Sequence, residues 1–343
     1  MQIMERIAQL PRVNLGCFPT PLVEAKHLSK VLGGPSILVK REDLTGLALG
    51  GNKCRRLEFL FGYARQKGFD SFLTSDVSNT SVQLVAAARK CGITVSLVLI
   101  RDVTTPKGKK GNYLLLKMLD SDIRVREAVS SVKTLEDIIA ESNSALEREA
   151  LNMRKEGYNP FILPSFGSTA VERVGWVSAV EEIWQQLKLK GIEAQYVVTV
   201  NTAGSTQSGL AIGVKYLKAP FQVIGISNRL RKDKAVSEVV RMSNETIEFL
   251  GLDTFISPGE VTVHDEYVGE GYSKITKESI EAIKLVAQTE GIFLDPIYTG
   301  KAMAALIDLI RKGRFTTKDT LVFIHTGGIP ALFDYNKEDS IWK

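Results

Sequence analysis

Short apolar, β-branched runs recur along this chain at 36–40, 72–75, 93–100, 123–125, 161–163, 196–200, 221–226 and 321–324. Between them lie stretches of helical pattern at 53–60, 82–88, 112–119, 134–156, 169–188, 234–250, 276–290 and 300–312. Apolar strands alternating with helices require parallel sheets, because only a crossover helix returns the chain to the same sheet edge. Both sheet faces are then covered, which is why the strands read as continuous apolar runs. At 343 residues the chain is too long for one simple core and comfortable for two lobes. The expected fold class is therefore α/β, with two domains of parallel twisted sheet covered by helices.

Composition narrows the function classes. Lys and Arg number 44 against 39 Asp and Glu, a net charge of +5. That excess is too small and dispersed to argue for nucleic acid, although it suits an anionic ligand. No apolar run approaches membrane-spanning length, and charges interrupt the first residues where a signal peptide needs its apolar block. Cytoplasmic residence is the expectation. Three cysteines (Cys17, Cys54, Cys91) form no close pair, and the three histidines (His27, His264, His325) form no H-E-x-x-H motif. With no thiolate metal spacing and no G-x-S-x-G elbow, zinc and serine–histidine chemistry are disfavoured, and a borrowed electron sink becomes the better candidate.

Five stretches carry candidate chemistry. In Leu49-Gly50-Gly51-Asn52-Lys53, two glycines allow a tight turn and Asn52 suits a helix start. Lys53 then falls in the first helical turn, where the positive helix end lowers an ammonium pKa and frees an amine for imine formation. Thr202-Ala203-Gly204-Ser205-Thr206 follows a strand and opens a helix, an arrangement whose backbone N–H groups close around a phosphate. It has neither the Lys of a P-loop nor a G-x-G-x-x-G dinucleotide turn, which counts against a nucleotide-dependent oxidoreductase. Ser78-Asn79 offers a hydroxyl and an amide, Tyr298 with Tyr272 upstream offers phenols, and His325-Thr326-Gly327-Gly328 lies past a strand's carboxyl end, where parallel sheets place ligands. Taken singly, each also fits a plain structural role: a solvated basic face, a tight connection, a helix cap or a packing tyrosine.

Taken together and in order, these stretches resemble the fold-type II pyridoxal-phosphate (PLP) enzymes, in the branch of D-cysteine desulfhydrase and 1-aminocyclopropane-1-carboxylate (ACC) deaminase. The match rests on Leu44-Thr45-Gly46 with Gly50-Gly51-Asn52-Lys53, on Asp295-Pro296-Ile297-Tyr298-Thr299-Gly300-Lys301, and on His325-Thr326-Gly327-Gly328. It spans about Pro11 to Phe333. The resemblance implies that Lys53 anchors PLP, that Asn79 meets the phenolate oxygen, and that Ala203, Gly204, Ser205 and Thr206 surround the phosphate. Ser78, Tyr298 and Tyr272 would face the substrate. Thr299 and Thr326 would sit toward the pyridine nitrogen. It also implies a larger domain of residues 1–51 and 166–343, a smaller one of 52–165, and a homodimer.

In ACC deaminases the residue after the D-P-x-Y tyrosine is typically glutamate, and the last motif reads H-L-G-G. Here Thr299 and Thr326 occupy those positions. A carboxylate would keep the pyridine nitrogen protonated and the sink deep, whereas a hydroxyl leaves it shallower. The pair therefore favours α,β-elimination, as in D-cysteine desulfhydration to pyruvate, ammonia and sulfide, over ring opening. Val77 and Thr80 stand where relatives carry Gln or His, which keeps L-cysteate, D-serine and β-replacement chemistry open, alongside a PLP-binding homologue without turnover. Arg55 and Arg56 are expected on a solvated helix face.

Overall fold

The computed structural model describes residues 2–106, 108 and 110–333. Among them the strands are β1 (Leu22–Glu24), β2 (Ser36–Arg41), β3 (Ser71–Thr74), β4 (Thr94–Ile100), β5 (Asp122–Arg126), β6 (Pro160–Ile162), β7 (Tyr196–Asn201), β8 (Gln222–Ser227), β9 (Thr262–His264) and β10 (Thr320–His325). The helices are α1 (Gln2–Gln9), α2 (Lys26–Leu32), α3 (Lys53–Gln66), α4 (Asn79–Cys91), α5 (Gly111–Met118), α6 (Leu135–Lys155), α7 (Ala170–Lys190), α8 (Ser205–Leu217), α9 (Lys232–Phe249), α10 (Lys277–Glu290) and α11 (Thr299–Arg311). The strands expected from the apolar runs are all present. β1 (Leu-Val-Glu) and β9 (Thr-Val-His) were not expected, because neither carries an apolar run like that at 161–163, which marks β6.

The strands form two sheets. One runs β1-β2-β10-β7-β8-β9 and the other β5-β4-β3-β6. β1 pairs antiparallel with β2, and the remaining pairings are parallel. The central strand β10 is buried on both faces: Leu321, Val322, Phe323 and Ile324 have no exposed surface. β3, inside the second sheet, is buried throughout.

A continuous apolar core bridges the two sheets. Leu57 and Phe61 of α3, Leu84 of α4 and Phe72 of β3 share one buried cluster with Val174 and Val177 of α7 and Val239 of α9. α3 therefore lies between the sheets with almost every residue from Cys54 to Ala64 buried. The carboxyl ends of β3, β7 and β10 open toward one cavity, reached through residues 76–78, 202–204 and 326. Ligands collect at this end of parallel sheets because helix N-termini and free backbone groups converge there.

Candidate active site

The glycine turn is built by close backbone approach. Gly50 adopts φ +72°, and a Cβ there would stand 1.8 Å from the carbonyl oxygen of Asp43, so no other residue fits. The N–H of Gly51 donates to Glu42 O and to Thr45 Oγ1, and the N–H of Asn52 donates to Thr326 O at 3.0 Å. Gln83 Nε2 donates to Gly50 O at 3.1 Å. Asn52 occupies the cap position of α3, as expected, but its side chain does not cap: its amide donates to Thr206 Oγ1 across the cavity floor. The turn thus joins β10, α4 and α8 at one point.

From that junction Lys53 projects into the cavity, its Nζ 5.7 Å from the centre of the Tyr298 ring. Among the described residues no hydrogen bond or ion pair engages Nζ. Burial, followed by the nearby charge of Arg56, brings the amine down to about 8, while Asp295 and Asp76 pull weakly the other way. The direction matches the sequence expectation, but its leading cause is burial rather than the helix end.

Roughly 910 Å³ of space, part of it open to solvent, lies around this amine. One wall is Thr202, Ala203, Gly204, Ser205 and Thr206. Gly204 takes φ +99° as the cap of α8, and the first intrahelical bond runs from Ser208 N to Gly204 O. The N–H groups before Ser208 have no intrahelical acceptor, and Ser205 and Thr206, which carry two of them, line the cavity. Ser205 Oγ is buried there without a partner.

The opposite wall carries the phenols. Tyr298 and Tyr272 meet hydroxyl to hydroxyl at 2.7 Å, and Phe166 packs edge-on against Tyr272 at 5.1 Å. Burial, then the neighbouring Tyr272, lifts the Tyr298 phenol well above its ordinary value, so it stays protonated. Asp295 fixes the start of α11: its carboxylate accepts from the N–H groups of Ile297, Tyr298 and Thr299 and from Thr299 Oγ1 at 2.7 Å. Thr299 Oγ1 in turn accepts from Asp295 N. Its hydroxyl is committed to that turn, and Thr299 does not line the cavity, whereas Thr326 does. His325, buried behind it, donates through Nε2 to Phe293 O and accepts at Nδ1 from Gly327 N. Burial holds its pKa below the usual value, and the imidazole is neutral.

Ser78 and Thr80 line the third side. The Ser78 hydroxyl also caps α4, accepting from Thr80 N and Ser81 N in a capping box. Structural and site roles coincide in this one side chain. Asn79 begins α4 beside the cavity without lining it. Among the lining residues that escaped the sequence reading are Asp76 and Phe166. Asp76 is a carboxyl group between a strand and a cap, where aspartate is commonplace. Phe166 reaches the cavity only through tertiary packing on Tyr272.

The expected solvated face of Arg55 and Arg56 is overturned. Arg55 is 2% exposed and Arg56 7%. Arg55 is forked between Glu42 (2.7 and 3.0 Å) and Glu182 (2.9 Å), stacked on the Phe18 ring at 4.4 Å. Arg56 pairs with Glu172 at 2.5 Å and lines the cavity behind Lys53. Their carboxylate partners lie on β2's exit and on α7, so helical position alone misassigns the face.

Comparison with known proteins gives the family. The family described as "Pyridoxal-phosphate dependent enzyme" matches residues 13–327. The chain belongs to the PLP-dependent enzymes. Within that family a putative 1-aminocyclopropane-1-carboxylate deaminase of Pyrococcus abyssi (strain GE5 / Orsay) is 35% identical over 334 residues, 97% of this chain and 96% of that protein. A D-cysteine desulfhydrase of Klebsiella pneumoniae (strain 342) is also 35% identical, over 338 residues covering 97% and 98%. Among solved structures, an ACC deaminase homologue superposes with a TM-score of 0.85 at 34% identity, covering 99% of this chain and 98% of that one. The processed form of threonine deaminase isoform 2 from Solanum lycopersicum shares the fold, with a TM-score of 0.66 at 16% identity and coverage of 99% and 90%. The two-sheet α/β architecture and PLP dependence expected from the sequence thus both hold, and the chain is a PLP-dependent enzyme of the lyase and deaminase type. No helix among the described residues is long and apolar enough to cross a membrane.

The residues present fit PLP. An amine with a lowered pKa and no counter-ion faces the same cavity as a helix N-terminus with an orphaned buried hydroxyl, Ser205 Oγ. An aldehyde and a phosphate are the complementary groups.

Proposed function

We propose that the chain carries out α,β-elimination on a small amino acid, with D-cysteine as the substrate and pyruvate, ammonia and sulfide as products. The observation that carries this reading is that a threonine, not a glutamate, follows Tyr298: Thr326 lines the cavity, and Thr299 lies behind it with its hydroxyl tied to Asp295. PLP, when bound, supplies the electron sink that stabilises charge developing at Cα. Lys53 anchors it through Nζ, and the same amine, once free, takes the Cα proton. Ser205, Thr206, Gly204 and Ala203 hold the phosphate through backbone N–H groups and hydroxyls. Asn79 serves the phenolate oxygen, and Thr326, with Thr299 behind it, serves the ring nitrogen. Tyr298, kept protonated and oriented by Tyr272, donates toward the substrate, and Ser78 orients its carboxylate.

The same reading divides the chain into a larger domain, residues 1–51 and 166–343, and a smaller one, residues 52–165. A cytoplasmic homodimer completes it. Support comes from the equal identity to a desulfhydrase and a putative ACC deaminase, which leaves the decision to site chemistry. The test is release of pyruvate and sulfide from D-cysteine, L-cysteine, L-cysteate, D-serine and ACC by purified holoenzyme. D-cysteine is expected to be the best substrate. Turnover of ACC alone, giving 2-oxobutyrate, overturns the reading.

A further inference from the structure

One polar group in the cavity has no task in the mechanism above. Asp76 lines the same space as Lys53, Ser78, Thr80 and Tyr298, on the connection between β3 and α4. Its Oδ1 is buried and accepts no hydrogen bond. It forms no ion pair with Lys53, although the two attract each other, and its charge also bears on Tyr298. Burial lifts its pKa, and the Ser78 hydroxyl and Lys53 pull it partly back. The phosphate end of the cavity, at the start of α8, lies on another wall, where a carboxylate would repel the cofactor. A buried acceptor left open in a cavity wall is satisfied either by water or by whatever enters the cavity.

We propose that Asp76 is a specificity-determining residue whose carboxyl group receives a proton donor on the β-substituent of the substrate amino acid. The inference rests on the elimination reading, because it takes the amino-acid site to be this cavity. It sharpens that reading by substrate class: a thiol or hydroxyl at Cβ is favoured, a substituent offering only C–H is disfavoured, and an anionic sulfonate is rejected. Rejection follows from chemistry rather than shape. A C–H substituent strips water from Asp76 and returns no hydrogen bond, whereas a sulfonate adds like charge at close range. Sites that hydrogen-bond a substrate group discriminate sharply against analogues lacking it.

The experiment uses holoenzyme and three ligands of matched backbone, serine, alanine and cysteate, each in both enantiomers. Binding is read from the first change in cofactor absorbance on rapid mixing, before turnover, and pyruvate release is followed separately. In the enantiomer that binds, serine is expected to bind at least tenfold more tightly than alanine and at least tenfold more tightly than cysteate. In D76A the serine advantage over alanine should fall to within about twofold and cysteate should gain at least tenfold. D76N, which keeps one acceptor oxygen, should lie between. An unchanged serine-to-alanine ratio in D76A overturns the proposal, as does wild-type cysteate binding as tight as serine, or no amino acid binding at all. The wild-type order decides even where a variant fails to fold. The expected order of binding without pyruvate release would instead remove the elimination reading and leave Asp76 standing.

Discussion

Arg55 and Lys53 leave the same helix two residues apart, and the fold treats their charges in opposite ways. Around Arg55 it assembles Glu42 and Glu182, with Lys40 tied into the same group through Glu182. Burial alone would unload the guanidinium, but Glu42 and Glu182 more than offset it and raise its pKa. Glu182 is drawn down in return: burial opposes its charge, yet Arg55 and Lys40 hold it at about 2. Around Lys53 the fold supplies burial and a like charge from Arg56, with no carboxylate in contact. A buried cation given carboxylates becomes structure, and one denied them gives up its proton more readily and becomes a reactive amine.

Removing each side of that contrast should give separable outcomes. K53A should abolish the imine absorbance and lower turnover by about 10²–10⁴-fold, the range for loss of a positioned proton-transfer group, while circular dichroism and melting change little. Retention of a borohydride-trappable band would place the anchor on another lysine. R55M leaves Glu42 without its cation and Glu182 with Lys40 alone. Chemical denaturation should show a loss of about 3–5 kcal/mol, with cofactor absorbance intact in the folded fraction. If R55M instead removed absorbance without lowering stability, the division of labour would be reversed.

A finer probe is pH. The free amine is the deprotonated form, so borohydride trapping of added PLP on apoprotein should rise tenfold per unit up to about pH 8 and then level off. A rise continuing toward 10.5 would mean that burial does not act on Lys53. The sign for stability agrees: the folded state disfavours the charged form, so the apoprotein is weaker below about pH 8 and gains as pH rises from there toward 10.5. The smallest effect should come from Y272F, which removes one hydroxyl from the 2.7 Å pair with Tyr298. About fivefold in kcat with KM unchanged corresponds to one net hydrogen bond of about 1 kcal/mol. A shift in KM alone would give Tyr272 a binding role only.

What was legible in the sequence follows the range of the interactions. Strand runs, the glycine turn and the α8 start depend on neighbours within a few residues, and they appear where periodicity and turn chemistry put them. The fate of Arg55 and Arg56 depended on Glu182 and Glu172, more than a hundred positions away. Nothing in a helical pattern separates a solvated basic face from one buried against carboxylates. Asn52 looked like a cap because asparagine at a helix start usually is one, yet Thr206 takes its amide from 154 residues along the chain. Asp76 had no motif to mark it. Only the missing partner at its Oδ1 distinguishes it from an ordinary loop aspartate.

The glycine turn before Lys53 has a further consequence for how the protein breathes. Glycine-rich connections are usually the first backbone to exchange amide protons with solvent. Here Gly50, Gly51 and Asn52 each place the N–H on an internal acceptor, Leu47 O, Glu42 O and Thr326 O. Gly51 and Asn52 are themselves buried. Opening the Gly51 and Asn52 amides parts the start of α3 from Glu42 and from Thr326 at the end of β10. Their deuterium uptake should therefore track the slowest cooperative unit of the fold, not the loops.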